Sequence, residues 1–338
     1  METPSPRPTG SRPIRVGTRA SLLARTQTEW FVRQLRGLGH AVEVETISTQ
    51  GDRTDVPIAA LGGDGVFVRE LERALLERRI DAAVHSLKDM PTEETPGLEV
   101  ACVPVRATPF DVLVAREPCT LESLPAGAVV GTSSVRRVAQ VRALRHDLVI
   151  RPLRGNVDTR LRRLDAGEYD CLVLAGAGLE RLSLGDRITH VLRPQGFWPA
   201  VSQGALAVQI RRDDARLDAA VSPLDDPATH RAVRAERSCL AALAGGCLAP
   251  IGGWAREAAD GSLVLGACVL EIDGDVVRRV VAESSTTARD EGARAVSSVA
   301  DALACSWNAQ EGTTKMSRCF QSKRLPPITD QPLPRATW

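Results

Sequence analysis

Strand-like and helix-like segments alternate twice over in the first two hundred residues of this 338-residue chain, and that rhythm limits the folds open to it. Residues 14–17 read as a strand and 21–36 as an amphipathic helix, while 41–49 alternate with the period of two expected of a half-buried strand. Residues 67–78 place Phe67, Leu71, Ala74 and Leu75 on one helical face, and 81–85 form the next strand. A second series follows: strand 128–131, helix 135–144, strand 148–151, helix 157–164 and strand 171–175. Alternation of this kind implies parallel sheets with helices on both faces. Two such units predict twin α/β domains around a cleft, with ligands bound beyond the carboxyl ends of the strands.

After Pro223-Leu224-Asp225-Asp226-Pro227 the pattern changes to a long helix (229–243), two strands (263–272 and 276–282) and a helix (287–305), which reads as a smaller α+β domain. From Asn308 onward the chain is polar and proline-rich, and disorder is expected there. The longest apolar runs, such as Cys171-Leu172-Val173-Leu174-Ala175, are far too short to span a bilayer. Residues 1–15 are rich in Pro and Arg without an apolar stretch, so no secretory signal is expected. Eight cysteines are scattered without CxxC pairs, which argues against zinc and against a disulfide scaffold and suits a reducing cytoplasm.

The net charge of +1 conceals an asymmetry. Residues 131–165 carry nine Arg against three Asp, whereas 41–100 carry 13 acids against six bases. A basic stretch suits nucleic acid, anionic small molecules or a solvated helix face. Aromatic residues are only 3% of the chain, too few for base stacking, so nucleic acid is disfavoured. Against 37 arginines, residues 1–314 contain one lysine, Lys88, in the string His85-Ser86-Leu87-Lys88-Asp89-Met90-Pro91. Lysine is a compact charge whose pKa can shift, while arginine is a planar fork that stays charged.

Gly131-Thr132-Ser133-Ser134-Val135-Arg136-Arg137 runs from a strand into a helix through small residues, bringing backbone N–H groups, hydroxyls and two arginines to one helix N-terminus. That combination suits an anion. It is not a P-loop, and N-capping explains Ser133 or Ser134 but not the paired arginines. Leu153-Arg154-Gly155-Asn156-Val157-Asp158-Thr159-Arg160 repeats the arrangement at the next strand end, whereas Arg162 and Arg163 read as a solvated face. Charge-assisted hydrogen bonds contribute roughly 1.5–3 kcal/mol each, so four such arginines could hold a polyanion. The thiol in Gly245-Gly246-Cys247 could be a nucleophile or attachment point, or an inert buried residue. Gly176-Ala177-Gly178 reads as helix-entry geometry.

Together, and in this order, these motifs resemble the porphobilinogen deaminase (hydroxymethylbilane synthase) family. The resemblance runs from about Arg15 to about Ala304 and adds Thr18-Arg19-Ala20-Ser21, the stretch 65–72, residues 175–181 and 199–205, and Ala235-Glu236-Arg237. It implies two periplasmic-binding-protein-like α/β domains flanking a cleft, plus a smaller C-terminal α+β domain carrying a cofactor cysteine. The corresponding partition is 12–106 with 202–224, then 107–201, then 225–307, with 308–338 as a tail. The implied activity is a transferase that condenses four porphobilinogen units into a linear tetrapyrrole, releasing one ammonia per unit, in tetrapyrrole biosynthesis. The chain is primed on a dipyrromethane cofactor joined by a thioether, by motif match to Cys247. The catalytic aspartate falls on Asp89, which would protonate the departing amine and stabilise the cation left behind. Lys88, Ser86, Ser134, Arg136, Arg137 and Phe67 would hold the cofactor, and Arg19, Ser21, Arg154, Arg160 and Arg181 the substrate and elongating chain. The resemblance implies a cytoplasmic monomer with no metal, no nucleic-acid partner and no membrane partner.

Three departures from the family pattern stand out. Asp64 occupies a place where many members have lysine, Thr108-Pro109-Phe110-Asp111 stands for Asp-Pro-Arg-Asp, and Ser202-Gln203-Gly204 stands for Gly-Gln-Gly. Two other readings of the same residues are a non-catalytic solute-binding protein and a pyridoxal-phosphate enzyme using Lys88.

Overall fold

The computed structural model describes residues 12–48, 65, 68–243, 250–273, 276–286 and 299. Phe67, Cys247, Asp64, the expected helix 287–305 (Val299 apart) and the tail 308–338 lie outside the described residues. The first domain opens with β1 (Ile14–Arg19), α1 (Leu22–Gly37), β2 (Val42–Ile47), α2 (Arg69–Leu76), β3 (Ala82–Ser86) and β4 (Leu98–Cys102). Ser21 starts α1: its backbone is extended and its hydroxyl accepts a hydrogen bond from the Ala24 N–H at 3.4 Å. The helix buries Phe31, Val32 and Leu35 against one face of the sheet, while α2 buries Leu71, Ala74 and Leu75 against the other.

The chain then crosses to a second sheet, made of β5 (Asp111–Ala115), β6 (Val129–Gly131), β7 (Val149–Arg151), β8 (Cys171–Ala175) and β9 (His190–Leu192). Helices α3 (Val135–Leu144), α4 (Val157–Asp165) and α5 (Gly176–Arg181) connect its strands. A second crossing returns it to β10 (Leu206–Arg211) and α6 (Ala215–Val221) on the first sheet. The strand orders are β2-β1-β3-β10-β4 and β7-β6-β8-β5-β9.

The sheets are mixed, which corrects the expectation of parallel sheets. β1, β2 and β3 run parallel, as do β6, β7 and β8, but β10 is antiparallel to β3 and β4, and β5 is antiparallel to β8 and β9. The reversed strand in each sheet is the one that arrives from the other domain. It enters at the cleft end, where its neighbours finish, so it must run the opposite way.

Helix α7 (Pro227–Ala242) begins the third domain, with Pro227 in its first turn and the Asp226 carboxylate accepting from Thr229 N–H at 2.8 Å. It covers one face of an antiparallel sheet of β11 (Ile251–Glu257), β12 (Leu263–Asp273) and β13 (Val276–Thr286). The opposite face packs on the second domain through Phe110, Ala139, Trp198, Trp254, Cys268 and Leu270. β11 is not among the expected strands, and its two glycines weaken a strand pattern. A Cβ at Gly252 would lie 2.5 Å from the Trp198 Cβ, so glycine lets β11 pass against that tryptophan. Phe110 meets Trp254 edge-on at 5.3 Å, with the Arg193 guanidinium over its ring. Among the described residues no helix is long and apolar enough to cross a membrane.

The two crossings lie against each other. Gly204 has φ +88°, and a Cβ there would sit 2.5 Å from the Thr108 carbonyl oxygen. Ser202 also has positive φ, +61°, although it carries a Cβ, and it is fully buried. Its hydroxyl has no hydrogen-bond partner among the described residues. Left-handed backbone costs a non-glycine residue roughly 1–2 kcal/mol, and an unpaired buried hydroxyl adds to that. Ser202→Gly is therefore expected to stabilise the protein by about 1 kcal/mol or more, net of glycine's greater unfolded-state freedom. Equilibrium urea unfolding measures this, and a midpoint at or below that of the wild type would contradict it.

Candidate active site

β3 ends inside the cleft, and its last residue leads into one tight turn, Leu87–Asp89. Leu87 is buried and anchors the turn, leaving Lys88 and Asp89 half-buried at the cleft surface. The Gln27 side chain of α1 exchanges hydrogen bonds with the Ser86 hydroxyl at 3.2 and 3.3 Å. From behind, Arg237 of α7 donates to the carbonyls of Met90 and Pro91, so the third domain grips the chain just beyond Asp89. His85 is buried, its Nε2 has no partner among the described residues, and burial pushes its pKa down to about 4. It stays neutral near pH 7.

Lys88 points toward the second domain. Its ammonium donates to the Gln203 side-chain oxygen at 3.4 Å. Burial pushes its pKa down to about 8; Arg137 and Arg136 add to the push, while Asp89 and Asp111 oppose it.

Across the cleft, the turn into α3 is built as expected but bonded differently. Ser134 occupies the N-cap position without a capping side-chain bond, and its N–H donates to the Thr132 hydroxyl. Ser133 instead ties this turn to the neighbouring one, exchanging 2.9 Å hydrogen bonds with the backbone of Leu153. Arg136 and Arg137 are buried and share Asp111 at 2.7 Å each. Arg136 also donates to the Trp198 carbonyl and Arg137 to that of Val173. Burial alone would raise the Asp111 pKa, but the two guanidiniums outweigh it and hold the carboxyl well below the usual range.

Arg160 of α4 is half-buried and donates to the Gly155 carbonyl at 2.8 Å. Burial pushes its pKa down to about 10, Arg137 and Arg154 push the same way, and Asp89 opposes them. Lys88, Asp89, Arg137, Arg154 and Arg160 thus form one electrostatic neighbourhood contributed by both domains. Arg19 lies at the end of β1, close enough to influence His85, and Ser21 caps α1. Arg181 stands apart: it is buried, its pKa is pushed down to about 9 by that burial, and it donates to the Gly204 carbonyl at 2.6 Å.

Burial also raises the thiol pKa values of Cys102, Cys171, Cys239 and Cys268, to about 12 for Cys171 and about 11 for Cys239. These four behave as inert apolar residues.

Residues 14–219 match the family model described as "Porphobilinogen deaminase, dipyromethane cofactor binding domain", and residues 230–303 match "Porphobilinogen deaminase, C-terminal domain". The chain belongs to the porphobilinogen deaminase family. It is 47% identical to the porphobilinogen deaminase of Syntrophobacter fumaroxidans over 271 residues, 79% of this chain and 87% of that protein. It is 49% identical to that of Mycobacterium bovis over 288 residues, 82% of this chain and 93% of that protein. Among solved structures, the methionine binding protein MetQ aligns with a TM-score of 0.42 and 14% identity, over 67% of this chain and 93% of that one. Porphobilinogen deaminases are transferases that make hydroxymethylbilane with a dipyrromethane cofactor, and the family match favours that reading over a solute-binding protein or a pyridoxal-phosphate enzyme.

Sequence reasoning missed four residues around this cleft and the crossings beside it: Gln27, Asp111, Gln203 and Glu236. Asp111 and Gln203 stood within motifs already singled out for departing from the family pattern, and a buried counter-ion for two adjacent arginines was the signal to look for. Glu236 is buried and its carboxylate accepts four hydrogen bonds: two from Arg106 (2.5 and 3.1 Å), one from Ser202 N–H (2.5 Å) and one from Ala255 N–H (2.8 Å).

Proposed function

We propose that Asp89 is the general acid of the deaminase reaction and that the cations around it hold the carboxylates of cofactor, substrate and growing chain. The observation that carries this reading is the crowding of Arg160 by Arg137 and Arg154 opposite Asp89. Like charges held this close repel, and an incoming polyanion relieves that repulsion beside the Asp89 side chain. The donor set therefore fits a dipyrromethane with its several carboxylates. When bound, that group supplies the pyrrole to which the first substrate unit is joined.

Lys88, Ser86, Ser134, Arg136, Arg137 and Phe67 are assigned to the cofactor, with Cys247 as its thioether attachment. Arg19, Ser21, Arg154, Arg160 and Arg181 are assigned to substrate and elongating chain. Arg181 would do so through its hold on Gly204. Asp89 gives a proton to the departing amine, and its carboxylate then faces the cation that remains. Each added unit brings two carboxylates, so the demand for cations grows with the product.

The reading extends to three domains, 12–106 with 202–224, 107–201 and 225–307, supported by the separate cores of the three sheets. It also extends to a monomer working in the cytoplasm, supported by the scattered cysteine spacing. Intact mass with peptide mapping tests the attachment. Freshly purified active protein is expected to carry a dipyrromethane-sized adduct on Cys247, and an unmodified Cys247 in such protein would sink the assignment.

A further inference from the structure

Gln203 sits in the second crossing, is almost fully buried, and has both ends of its amide engaged across the domain boundary. Its Nε2 donates to the Pro109 carbonyl at 2.8 Å and to Asp111 Oδ1 at 3.1 Å, while its Oε1 accepts from Lys88. The amide has only one workable orientation. Turned over, it would set its oxygen against a carbonyl and a carboxylate, and its NH₂ against an ammonium.

We propose that Gln203 is a positioning residue of the reaction: anchored to Pro109 and Asp111, it fixes the Lys88 ammonium beside Asp89 in the first domain. Arg136 and Arg137 hold Asp111, Asp111 holds the Gln203 amide, and the amide oxygen faces Lys88. The arginine pair of one domain thereby sets where the lysine of the other stands. At 3.4 Å the last link is long for a charge-assisted bond. It steers Lys88 and leaves the ammonium free to lean toward a bound carboxylate.

This inference rests on the deaminase reading, but its test does not need turnover. The chain has three lysines, Lys88, Lys315 and Lys323, so protein grown with ¹³C-labelled lysine gives three side-chain signals. The Lys88 signal is identified by its loss in Lys88→Arg. The wild-type titration midpoint, measured on the cofactor-bearing protein, is the reference for both variants. Gln203→Glu shares a proton with Asp111 at its inner oxygen and sets a partly charged oxygen against the ammonium, so that midpoint is expected to rise. Gln203→Met removes the acceptor at similar size and is expected to lower it by roughly half a unit or more. The alkaline limb of kcat/KM for porphobilinogen consumption should move in the same two directions. A loss of stability alone would move neither titration in this paired way. Gln203→Met carries the test if Gln203→Glu folds poorly. Lys88 midpoints unchanged from the wild type would overturn the role of Gln203. Wild-type protein that consumes no porphobilinogen would instead remove the deaminase reading.

Discussion

Asp89→Asn is expected to lower kcat by roughly 10²- to 10⁴-fold while leaving the fold in place. Asparagine has the same shape but no proton to give, and no negative charge to face a cation. The fold should survive because the turn is anchored by buried Leu87 and by the bonds of Arg237 to Met90 and Pro91, none of which uses the Asp89 carboxylate. A second readout comes from Lys88, whose protonation Asp89 favours: its titration midpoint should fall in the variant. Single-turnover assays with porphobilinogen, together with a urea unfolding curve, separate the chemical effect from a structural one. Near-normal rates would remove Asp89 from its role.

Glu236→Gln is expected to cost about 3–5 kcal/mol of stability, the range for breaking a buried ion pair by neutralising one partner. The side chain is fully buried, and Arg106, its partner, is nearly so. The amide also turns one acceptor oxygen into an NH₂ group, which would confront donors from Arg106, Ser202 or Ala255. Those donors belong to the first crossing, the second crossing and the third domain's sheet, so one carboxylate ties all three together. Equilibrium urea unfolding reads the loss, and a change below about 1 kcal/mol would show that the junction is held by packing instead.

Segments with a clear period and a definite end were legible from the sequence. α1 announces itself by Ser21 and an apolar face, and the βα turns at Gly131 and Leu153 by small residues beside arginines. β5 and β10 did not announce themselves. Asp111–Ala115 is buried on both faces and therefore shows no alternation, and its direction depends on which end of the sheet the chain reaches. The same limit governed the site. The string around Lys88 and the basic turns could be picked out because the chemistry lies close together along the chain. The sharing of Asp111 by Arg136 and Arg137, and the approach of Gln203 to Lys88, join residues far apart in sequence. Such contacts come from the tertiary fold, and no local pattern encodes them.

The third domain's sheet is covered on both sides, by α7 on one and by Phe110, Ala139 and Trp198 of the second domain on the other. It is therefore not a detachable module. A gene shortened after residue 224 would encode twin domains with a bare aromatic surface, and the excised remainder would lack half of its own wrapping. Gene fusions or shuffling that separated the two pieces would yield sticky fragments, so the three parts of this enzyme are bound to be inherited, and to fold, as a set.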